Sequence, residues 1–389
     1  MHTRYTTTVV RLAAAALVAA AVSPLASAQG VTTGKVLFDA TKAQMAGNAD
    51  WVIDADVNNI GTGTGGVMVV GGGSESNPQR FPTPPQSGVT ATTPETYWKG
   101  ALSAWGIALV KRGFSVETLP VGSRITFGDA TNPQDLSNYG IYVIPEPNIL
   151  FTLTEKQAII RFVAAGGGVF LGANHDGSDR NNDGFDPVDV YNDLFNNNGI
   201  AVNPFGIRMN LGSFSVISNF VALDAASDPV LNGPAGVVTA MEFNSGSSLT
   251  VSGPVAKPLV FRTATRSPSE ALFACSSYGL GRVAMIGDSS PPDDGTGDTA
   301  DTLFNGWFAE VGGDHADIII NACLWLNPAP QPPACPADIN SDGSVNGSDL
   351  ALLLQSWGAC AKCAADIDPN GSIDGADLAL LLQSWGSCP

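Results

Sequence analysis

Two stretches near the C-terminal end place oxygen-bearing side chains at alternate positions, the spacing of a calcium-binding loop. Calcium takes about six to eight oxygen ligands, and a twelve-residue loop supplies them from positions 1, 3, 5, 7, 9 and 12, with glycine at position 6 for a sharp turn. That glycine is Gly343 in the first loop and Gly371 in the second. The predicted ligands are Asp338, Asn340, Asp342, the carbonyl of Ser344, Asn346 and Asp349 in the first loop, and Asp366, Asp368, Asn370, the carbonyl of Ser372, Asp374 and Asp377 in the second. The sequence therefore predicts two calcium ions here.

Both loops belong to an internal repeat and open into one shared apolar sequence. Asp-Leu-Ala-Leu-Leu-Leu-Gln-Ser-Trp-Gly occurs at 349–358 and again at 377–386. No apolar periodic segment of helical length precedes Asp338. Each unit is therefore predicted to be a loop with an exit helix, and not a complete helix–loop–helix hand.

The repeat resembles the type I dockerin domain over residues 335–389. The resemblance implies two calcium ions, a pseudo-twofold pair of helices, and docking onto a cohesin or a related cell-surface anchor. Cohesin-binding members often carry a Ser-Thr-like pair at loop positions 10 and 11, where this chain has Gly347-Ser348 and Gly375-Ala376. Two alternatives stay open: a cohesin-like partner, or a calcium-stabilised end module with no partner.

Cysteine placement suggests an oxidising compartment. Four of the six cysteines flank the repeats, at Cys335, Cys360, Cys363 and Cys388. Four cysteines allow three pairings. One bridge per repeat, Cys335–Cys360 and Cys363–Cys388, is favoured because each repeat has one cysteine before its loop and one after its helix. A zinc site at 360–363 is the weaker alternative. Cys275 and Cys323 either pair or are buried thiols.

The N-terminal 28 residues have the features of a secretory signal peptide. Arg4 and Arg11 form a charged start before an apolar stretch at 12–22, and Ala26-Ser27-Ala28 is a small-residue cleavage site. Cleavage would remove two arginines and no acid, changing the net charge from −18 to −20. Such an acidic chain is not expected to bind nucleic acid. No other segment approaches the length of a membrane span, so the mature chain is predicted to be secreted or extracytoplasmic.

Residues 29–327 are predicted to form one α/β domain, joined to the dockerin-like domain by a proline-rich linker at 328–334. The expected fold is flavodoxin-like, a mostly parallel sheet with helices on both faces, because strand and helix patterns alternate. Predicted strands span 35–38, 114–119, 139–144, 169–171, 271–275 and 282–286, and the last two form an antiparallel hairpin. Predicted helices span 95–111, 154–165 and 316–326. A capping box at 154–157 begins the second of these helices.

Polar residues follow several of these strands. Asp39, Glu146 with Asn148, 174–176 and 287–290 all come just after a strand. In open α/β sheets, ligands bind outside the carboxyl ends of the strands. If this domain is a hydrolase, His175, Asp176, Asp288 and Ser289 are the candidate catalytic residues, because histidine titrates near neutral pH and can exchange protons with a neighbouring carboxylate.

One loop of the large domain also carries calcium-like spacing. Asp179, Asn181 and Asp183 repeat the 1-3-5 pattern before a glycine, and Asp186 follows, but position 12 is Val190. The alternatives are a third calcium site and an acidic surface turn.

The large domain, over roughly residues 35–327, resembles the class I glutamine amidotransferase-like superfamily. More narrowly, it is similar to secreted bacterial proteins with Asp-Arg-Asn-Asn-Asp-Gly (179–184) and Gly-Asp-Ser-Ser-Pro-Pro-Asp-Asp-Gly-Thr-Gly-Asp (287–298) stretches, described as hydrolases or left uncharacterised. The turn at 172–174 lacks the thiol of an amidotransferase, and no Gly-x-Ser-x-Gly elbow occurs. The sequence thus excludes glutamine amidotransfer.

Three functions remain in view. The chain is a secreted modular calcium-binding protein with a ligand-binding or degenerate enzyme domain, an extracytoplasmic hydrolase acting on polysaccharide, or a structural cell-envelope protein.

Overall fold

The computed structural model describes the chain in segments. They are residues 34–46, 49–53, 60–62, 68–70, 86–98, 100–296, 304–308, 313–327, 335–340, 342–360, 363, 365–368 and 370–388. The signal peptide predicted at 1–28 and the linker predicted at 328–334 lie outside them. We call residues 34–327 the head and residues 335–388 the tail.

The head contains sixteen strands among its described residues. They are β1 (Lys35–Asp39), β2 (Met45–Ala46), β3 (Ala49–Asp50), β4 (Ile60–Thr62), β5 (Met68–Val70), β6 (Ser115–Leu119), β7 (Ile141–Pro145), β8 (Gly168–Gly172), β9 (Ile207–Met209), β10 (Phe214–Ser218), β11 (Phe220–Val221), β12 (Met241–Gly246), β13 (Leu249–Val251), β14 (Ala256–Phe261), β15 (Ala271–Tyr278) and β16 (Gly281–Ile286). The helices are α1 (Ser103–Lys111), α2 (Leu153–Ala164), α3 (Pro187–Asn196) and α4 (His315–Leu326), with 3₁₀ turns at Glu95–Tyr97, Leu136–Asn138 and Ala225–Ser227.

A large mixed sheet forms the centre of the head. Its parallel part has the order β6-β1-β7-β8-β16, which is the flavodoxin-like order 2-1-3-4-5 when these strands are numbered along the chain. Beyond β16 the sheet continues with antiparallel strands β15, β14 and β11. The predicted α/β class, its mostly parallel sheet and the β15–β16 hairpin are therefore confirmed. The strand order reverses between β1 and β7, the usual position of a ligand crevice.

Helices cover both faces of this sheet. On one face α1 and α4 pack over Phe38 and Phe170. The ring of Trp105, a residue of α1, lies edge-on to both phenylalanines at centroid distances of 5.2 and 4.8 Å. On the other face α2 and α3 bury Ile159 and Tyr191. Truncating a buried aromatic residue to alanine typically costs about 3–5 kcal/mol, so these two layers hold the strand ends rigidly in place.

Two predicted helices begin elsewhere. The single helix predicted over 95–111 is divided: a 3₁₀ turn at Glu95–Tyr97 is separated from α1 by Gly100, whose φ of +135° is incompatible with a continuous helix. Helix α2 is capped by Thr152, not Thr154, because Thr152 and Glu155 form the reciprocal side-chain-to-backbone bonds of a capping box.

The tail consists of two copies of a loop and helix. It contains β17 (Ser344–Val345), α5 (Gly347–Gln355), β18 (Gly358–Ala359), β19 (Ser372–Ile373), α6 (Gly375–Gln383) and β20 (Gly386–Ser387). Strand β17 pairs with β20, and β18 with β19. The end of each repeat is thus paired with the calcium loop of the other repeat. Val345, Leu353, Ile373 and Leu381 fill a separate small core.

This exchange overturns the disulfide pairing predicted from spacing. The bridges are Cys335–Cys388 and Cys360–Cys363, not one within each repeat. Each cysteine that precedes a loop meets the cysteine that follows the other repeat's helix, because β17–β20 and β18–β19 bring those ends together. Cys275 and Cys323 are both buried free thiols.

Within the described part of the chain, no helix has the length and apolar character needed to cross a bilayer.

Candidate functional site

A small cavity of about 130 Å³ lies at the carboxyl ends of the parallel strands. Loops following β8 and β16 contribute to it, as does the turn at the end of β12. Its lining is largely polar with two aromatic side chains: Trp51, Asn174, His175, Arg180, Asn244, Ser245, Ser289, Ser290, Asp293 and Phe304. The cavity therefore combines many hydrogen-bonding groups with few charges.

A buried glutamate behind this lining connects three of its side chains. Glu146 follows β7 and is fully buried. Its Oε1 accepts from Asn174 Nδ2 at 2.7 Å and from Arg180 Nε at 3.1 Å. Its Oε2 accepts from Ser289 Oγ at 2.5 Å. One carboxylate thus positions groups from the loops after β8 and β16.

The backbone at this point is strained, and an asparagine supports it. Glu146 has a φ of +36°, in the left-handed region that disfavours residues with a Cβ. Asn148 donates its amide to the carbonyls of Glu146 and Ala43, and its Oδ1 accepts from the Arg180 backbone N–H. Asn148 therefore ties the loops after β1, β7 and β8 together. Strain held in this way is a recurrent feature of functional sites.

Burial dominates the electrostatics of the carboxylates at this edge. It raises the pKa of Glu146, although Arg180, Ser289 and Asn174 stabilise the charged form. Burial also raises the pKa of Asp288 to about 7, against hydrogen bonds from Ser290 and Asn244. Both carboxyl groups therefore hold a proton to higher pH than exposed carboxyl groups of the same type.

The four predicted catalytic residues do not form one hydrogen-bonded constellation. His175 and Ser289 both line the cavity, but Ser289 donates to Glu146, while His175 Nδ1 donates to the Asp176 carbonyl at 2.8 Å. Asp176 Oδ2 accepts from the Gly212 backbone outside the cavity lining. Asp288 accepts from the backbone N–H of Ser290 in its own turn and from that of Asn244 in β12, so both its oxygens are occupied by backbone groups. A histidine–carboxylate pair acting on Ser289 is absent from these described residues.

Other conspicuous polar residues of the head are structural. Asp294 accepts from Ala104 N and Ser103 Oγ at the beginning of α1, where a carboxylate stabilises a helix; burial raises its pKa to about 6. His315 is buried, with Nδ1 donating to the Gly306 carbonyl and Nε2 accepting from the Glu242 N–H. That bonding fixes a neutral imidazole, and burial lowers its pKa.

The acidic loop at 179–186 folds like the calcium loops of the tail. Asp179 accepts from the N–H groups of Asp183 and Gly184, as Asp338 does from Asp342 and Gly343. Asp186, however, caps α3 through Val188 and Asp189 and also accepts from Gly177, so its oxygens are already bonded to backbone. Asp186 thus serves as the N-cap of α3.

The tail loops present the oxygens that calcium requires. In the second loop, Asp366, Asp368 and Asp377 bring carboxylate oxygens within 4.8 Å of one another. In the first loop, Asp349 accepts from the backbone N–H groups of Ile339 and Asn346. Burial alone would raise the pKa of Asp349, but the backbone hydrogen bonds hold it below its ordinary value. An ionised, oxygen-only donor set suits a hard divalent cation, so the residues present fit calcium.

Comparison with known proteins identifies the class of the tail. Residues 336–384 match the family model of the dockerin type I domain. The dockerin type I domain is a calcium-binding domain that docks onto cohesins, so calcium binding by the tail is supported by the family as well as by the donor set.

Several solved structures are distantly similar to the chain. They include the N-terminal domain of mmIFT52 (13% identity, TM-score 0.42, covering 76% of this chain and 99% of that one) and cytoplasmic protein STM3548 from Salmonella typhimurium (12%, 0.42, 76% and 100%). A β-galactosidase from Rahnella sp. R3 matches at 14% identity and a TM-score of 0.32, covering 59% of this chain and 27% of that one. At such low identity and TM-scores these likenesses do not bear on function. No curated protein matches the sequence. The resemblance of the head to the amidotransferase-like superfamily is not confirmed.

Sequence patterns do not identify two residues that organise the site. They place Glu146 among the polar residues at strand ends without assigning it a role, and they include Arg180 only as part of the Asp-Arg-Asn-Asn-Asp-Gly stretch at 179–184. The available signal is positional: Glu146 follows β7, the central strand of the parallel part of the sheet, and Arg180 lies in the loop after its neighbour β8.

Proposed function

We propose that this chain is an extracytoplasmic modular protein whose calcium-bound tail anchors a ligand-binding head. The observation that carries the proposal for the head is Glu146: a buried carboxylate on a strained backbone that holds three polar side chains at an open cavity. Strain of this kind persists only where the surroundings enforce it, and it clusters at ligand-binding and active sites.

The cavity chemistry favours a polyhydroxylated ligand. Amide, hydroxyl and imidazole groups outnumber charges in the lining, and Trp51 and Phe304 supply apolar faces. Sugars present hydroxyl groups around apolar ring faces, so they complement such a surface. The small volume suits the end or a branch of a polysaccharide. A structural envelope protein is expected to have a featureless surface over the strand ends, and this cavity is less consistent with that function.

A hydrolase acting on polysaccharide is the second candidate, and one observation favours it. Burial raises the pKa of Glu146 while the carboxylate stays in contact with groups that line the cavity. A carboxyl group with a raised pKa is the type of group that acts as a general acid at a glycosidic oxygen. In this candidate function Glu146 is the acid, in place of the set His175, Asp176, Asp288 and Ser289.

Binding and hydrolysis can be tested together on the whole protein. Isothermal titration calorimetry against a panel of oligosaccharides should give binding that Glu146→Gln weakens at least tenfold, whereas Glu270→Gln, a substitution at a partly exposed ion pair, leaves it unchanged. Product release from the same oligosaccharides, lost in Glu146→Gln, would select the hydrolase. Equal binding by wild type and Glu146→Gln would overturn the proposed site.

For the tail we propose two calcium ions, one for each loop, held by the ligands predicted from the sequence. The proposed partner is a cohesin-like or other cell-surface anchor protein. The matching family supports this partner, although Gly347-Ser348 and Gly375-Ala376 replace the Ser-Thr-like pair common at the docking positions.

The loop at 179–186 is a candidate for a third ion, because its backbone hydrogen bonds match those of the tail loops. Calorimetric titration of calcium-free protein should give two sites from the tail and a third if this loop binds. Asp179→Ala would then remove one site and leave two. A stoichiometry of two that Asp179→Ala does not change would eliminate the third site.

A further inference from the structure

We propose that each tail disulfide positions one calcium loop, so that Cys335–Cys388 serves the first loop and Cys360–Cys363 the second. This inference rests on the calcium binding proposed above. It assigns the four cysteines a role in metal affinity in addition to holding the tail together.

The first disulfide spans the first loop from its entry to its turn. The carbonyl of Cys335 accepts from the N–H of Asp338, the residue at loop position 1, at 2.9 Å. The N–H of Cys388 donates to the carbonyl of Gly343, at loop position 6, at 3.0 Å. In addition, the Cys388 sulfur lies 3.7 Å from Oδ2 of Asp338. The bridge therefore fixes the first ligand relative to the glycine turn.

The second disulfide repeats this arrangement. The carbonyl of Cys363 accepts from the Asp366 N–H at 3.2 Å, and the N–H of Cys360 donates to the Gly371 carbonyl at 2.9 Å. Here the cysteine that contacts loop position 1 comes after its partner in the sequence, whereas in the first disulfide it comes before. The two disulfides therefore make the same pair of contacts with their loops.

The sequence separations of the bridged cysteines indicate that the disulfides do more than lower the entropy of the unfolded chain. The bridged cysteines are 53 residues apart in one case and 3 in the other. Stabilisation through the unfolded chain grows with the length of the closed loop. That effect would make the two bridges unequal, whereas their placement around the calcium loops is the same.

The bracketed segment is the part of the loop that aims its first ligand. Asp338 accepts from the Gly343 N–H at 2.8 Å and Asp366 from the Gly371 N–H at 2.9 Å, so position 1 and the turn already face each other. Groups that orient metal ligands typically change metal affinity by about 10–100-fold. Without its bridge, each loop must be ordered by the calcium ion itself.

A crossed experiment on the full chain separates local positioning from general stabilisation. Asp366→Ala leaves only the first loop and Asp338→Ala only the second. Into each background one introduces either Cys335→Ser with Cys388→Ser, or Cys360→Ser with Cys363→Ser, and measures calcium affinity by calorimetry. Each double substitution should lower the affinity of the loop it brackets about tenfold or more and leave the other loop unchanged.

Equal losses at both loops would overturn the inference in favour of general stabilisation, and unchanged affinities would overturn it outright. Where a cysteine variant folds poorly, the single-loop protein with all its cysteines intact is instead reduced with a phosphine. Its helix content at saturating calcium is then followed by circular dichroism. Helix content that calcium restores, together with weakened calcium affinity, supports positioning of the loop by the disulfide. A wild-type protein that binds no calcium would instead defeat the proposed function.

Discussion

The hydroxyl of Ser289 donates to the carboxylate of Glu146 across 2.5 Å, although the two residues are 143 positions apart. Both side chains are buried or nearly so. The bond joins the loop after β16 to the loop after β7, and so fixes Ser289 in the cavity lining to the glutamate behind it. It also means that Ser289 is oriented by a carboxylate and not by a histidine.

Removing this hydroxyl should destabilise the head measurably. In Ser289→Ala the Oε2 of Glu146 loses its partner in a buried setting, which typically costs about 1–3 kcal/mol. Chemical denaturation at neutral pH, followed by tryptophan fluorescence, should register that loss. Ser269→Ala, at an exposed serine, should change stability by less than about 0.5 kcal/mol. Equal effects of the two substitutions would show that the Ser289–Glu146 bond contributes nothing.

Asp288 should make the head less stable as the pH rises from 4 to 7. Burial raises its pKa from 3.8 to about 7, so across this window the unfolded chain ionises while the folded chain keeps its proton. The folded state therefore loses relative stability on the order of 4 kcal/mol between these pH values. The difference in unfolding free energy between wild type and Asp288→Asn should shrink by that amount as the pH is raised.

A carboxylate with the opposite shift provides the control. Hydrogen bonds from Ser137 and Thr126 outweigh burial and lower the pKa of Asp135. Its contribution is present above the unfolded pKa and is lost as the pH falls through the folded pKa. The difference between wild type and Asp135→Asn should therefore decrease on acidification below pH 4. The Asp288 interpretation fails if both variants show the same trend.

The polar strand ends were predictable from sequence, but their mutual contacts were not. Asp39 ends β1, while Glu146, Asn174 and Asp288 follow β7, β8 and β16, and the carboxyl ends of parallel strands share one edge. Which side chains meet there depends on loop conformation. Glu146 has a left-handed backbone conformation and contacts the side chains of the site. The sequence does not predict this conformation, because glutamate rarely adopts it.

The tail shows the same limit in another form. The repeat specified both calcium loops and their exit helices, because ligand spacing and capping are local properties. The disulfide pairing is not local: it follows from β17 pairing with β20 and β18 with β19. Repeat spacing alone favoured Cys335–Cys360, and only the exchange of strands between repeats explains why Cys335 meets Cys388.

The start of α2 gives a direct test of its observed cap. Thr152 accepts from the Glu155 N–H and Glu155 accepts from the Thr152 N–H, while Thr154 is exposed within the first turn. Thr152→Ala should destabilise the head by about 1 kcal/mol. Thr154→Ala should have an effect below about 0.5 kcal/mol. Thermal denaturation of both variants decides the matter, and a larger loss in Thr154→Ala would contradict the assigned cap.

Two glycines of the second calcium loop should respond to alanine in opposite directions. Gly371 has a φ of +87°, and no atom lies within 4 Å of the point where a Cβ would stand, so an alanine there meets only backbone strain, about 1–2 kcal/mol. Gly375 also has open space around it but begins α6 with a helical backbone, where alanine should be favoured by up to about 1 kcal/mol. The first loop offers the same comparison at Gly343 and Gly347.

Calcium affinity and limited proteolysis together measure this difference. In calcium-loaded protein, Gly371→Ala should lower both the calcium affinity and the protection of the tail from cleavage, because the strained turn no longer holds Asp366 in place. Gly375→Ala should preserve or increase both, since it only favours the helix. Chelation of calcium should expose the wild-type tail to cleavage, and equal cleavage with calcium and with chelator would contradict the role given to these turns.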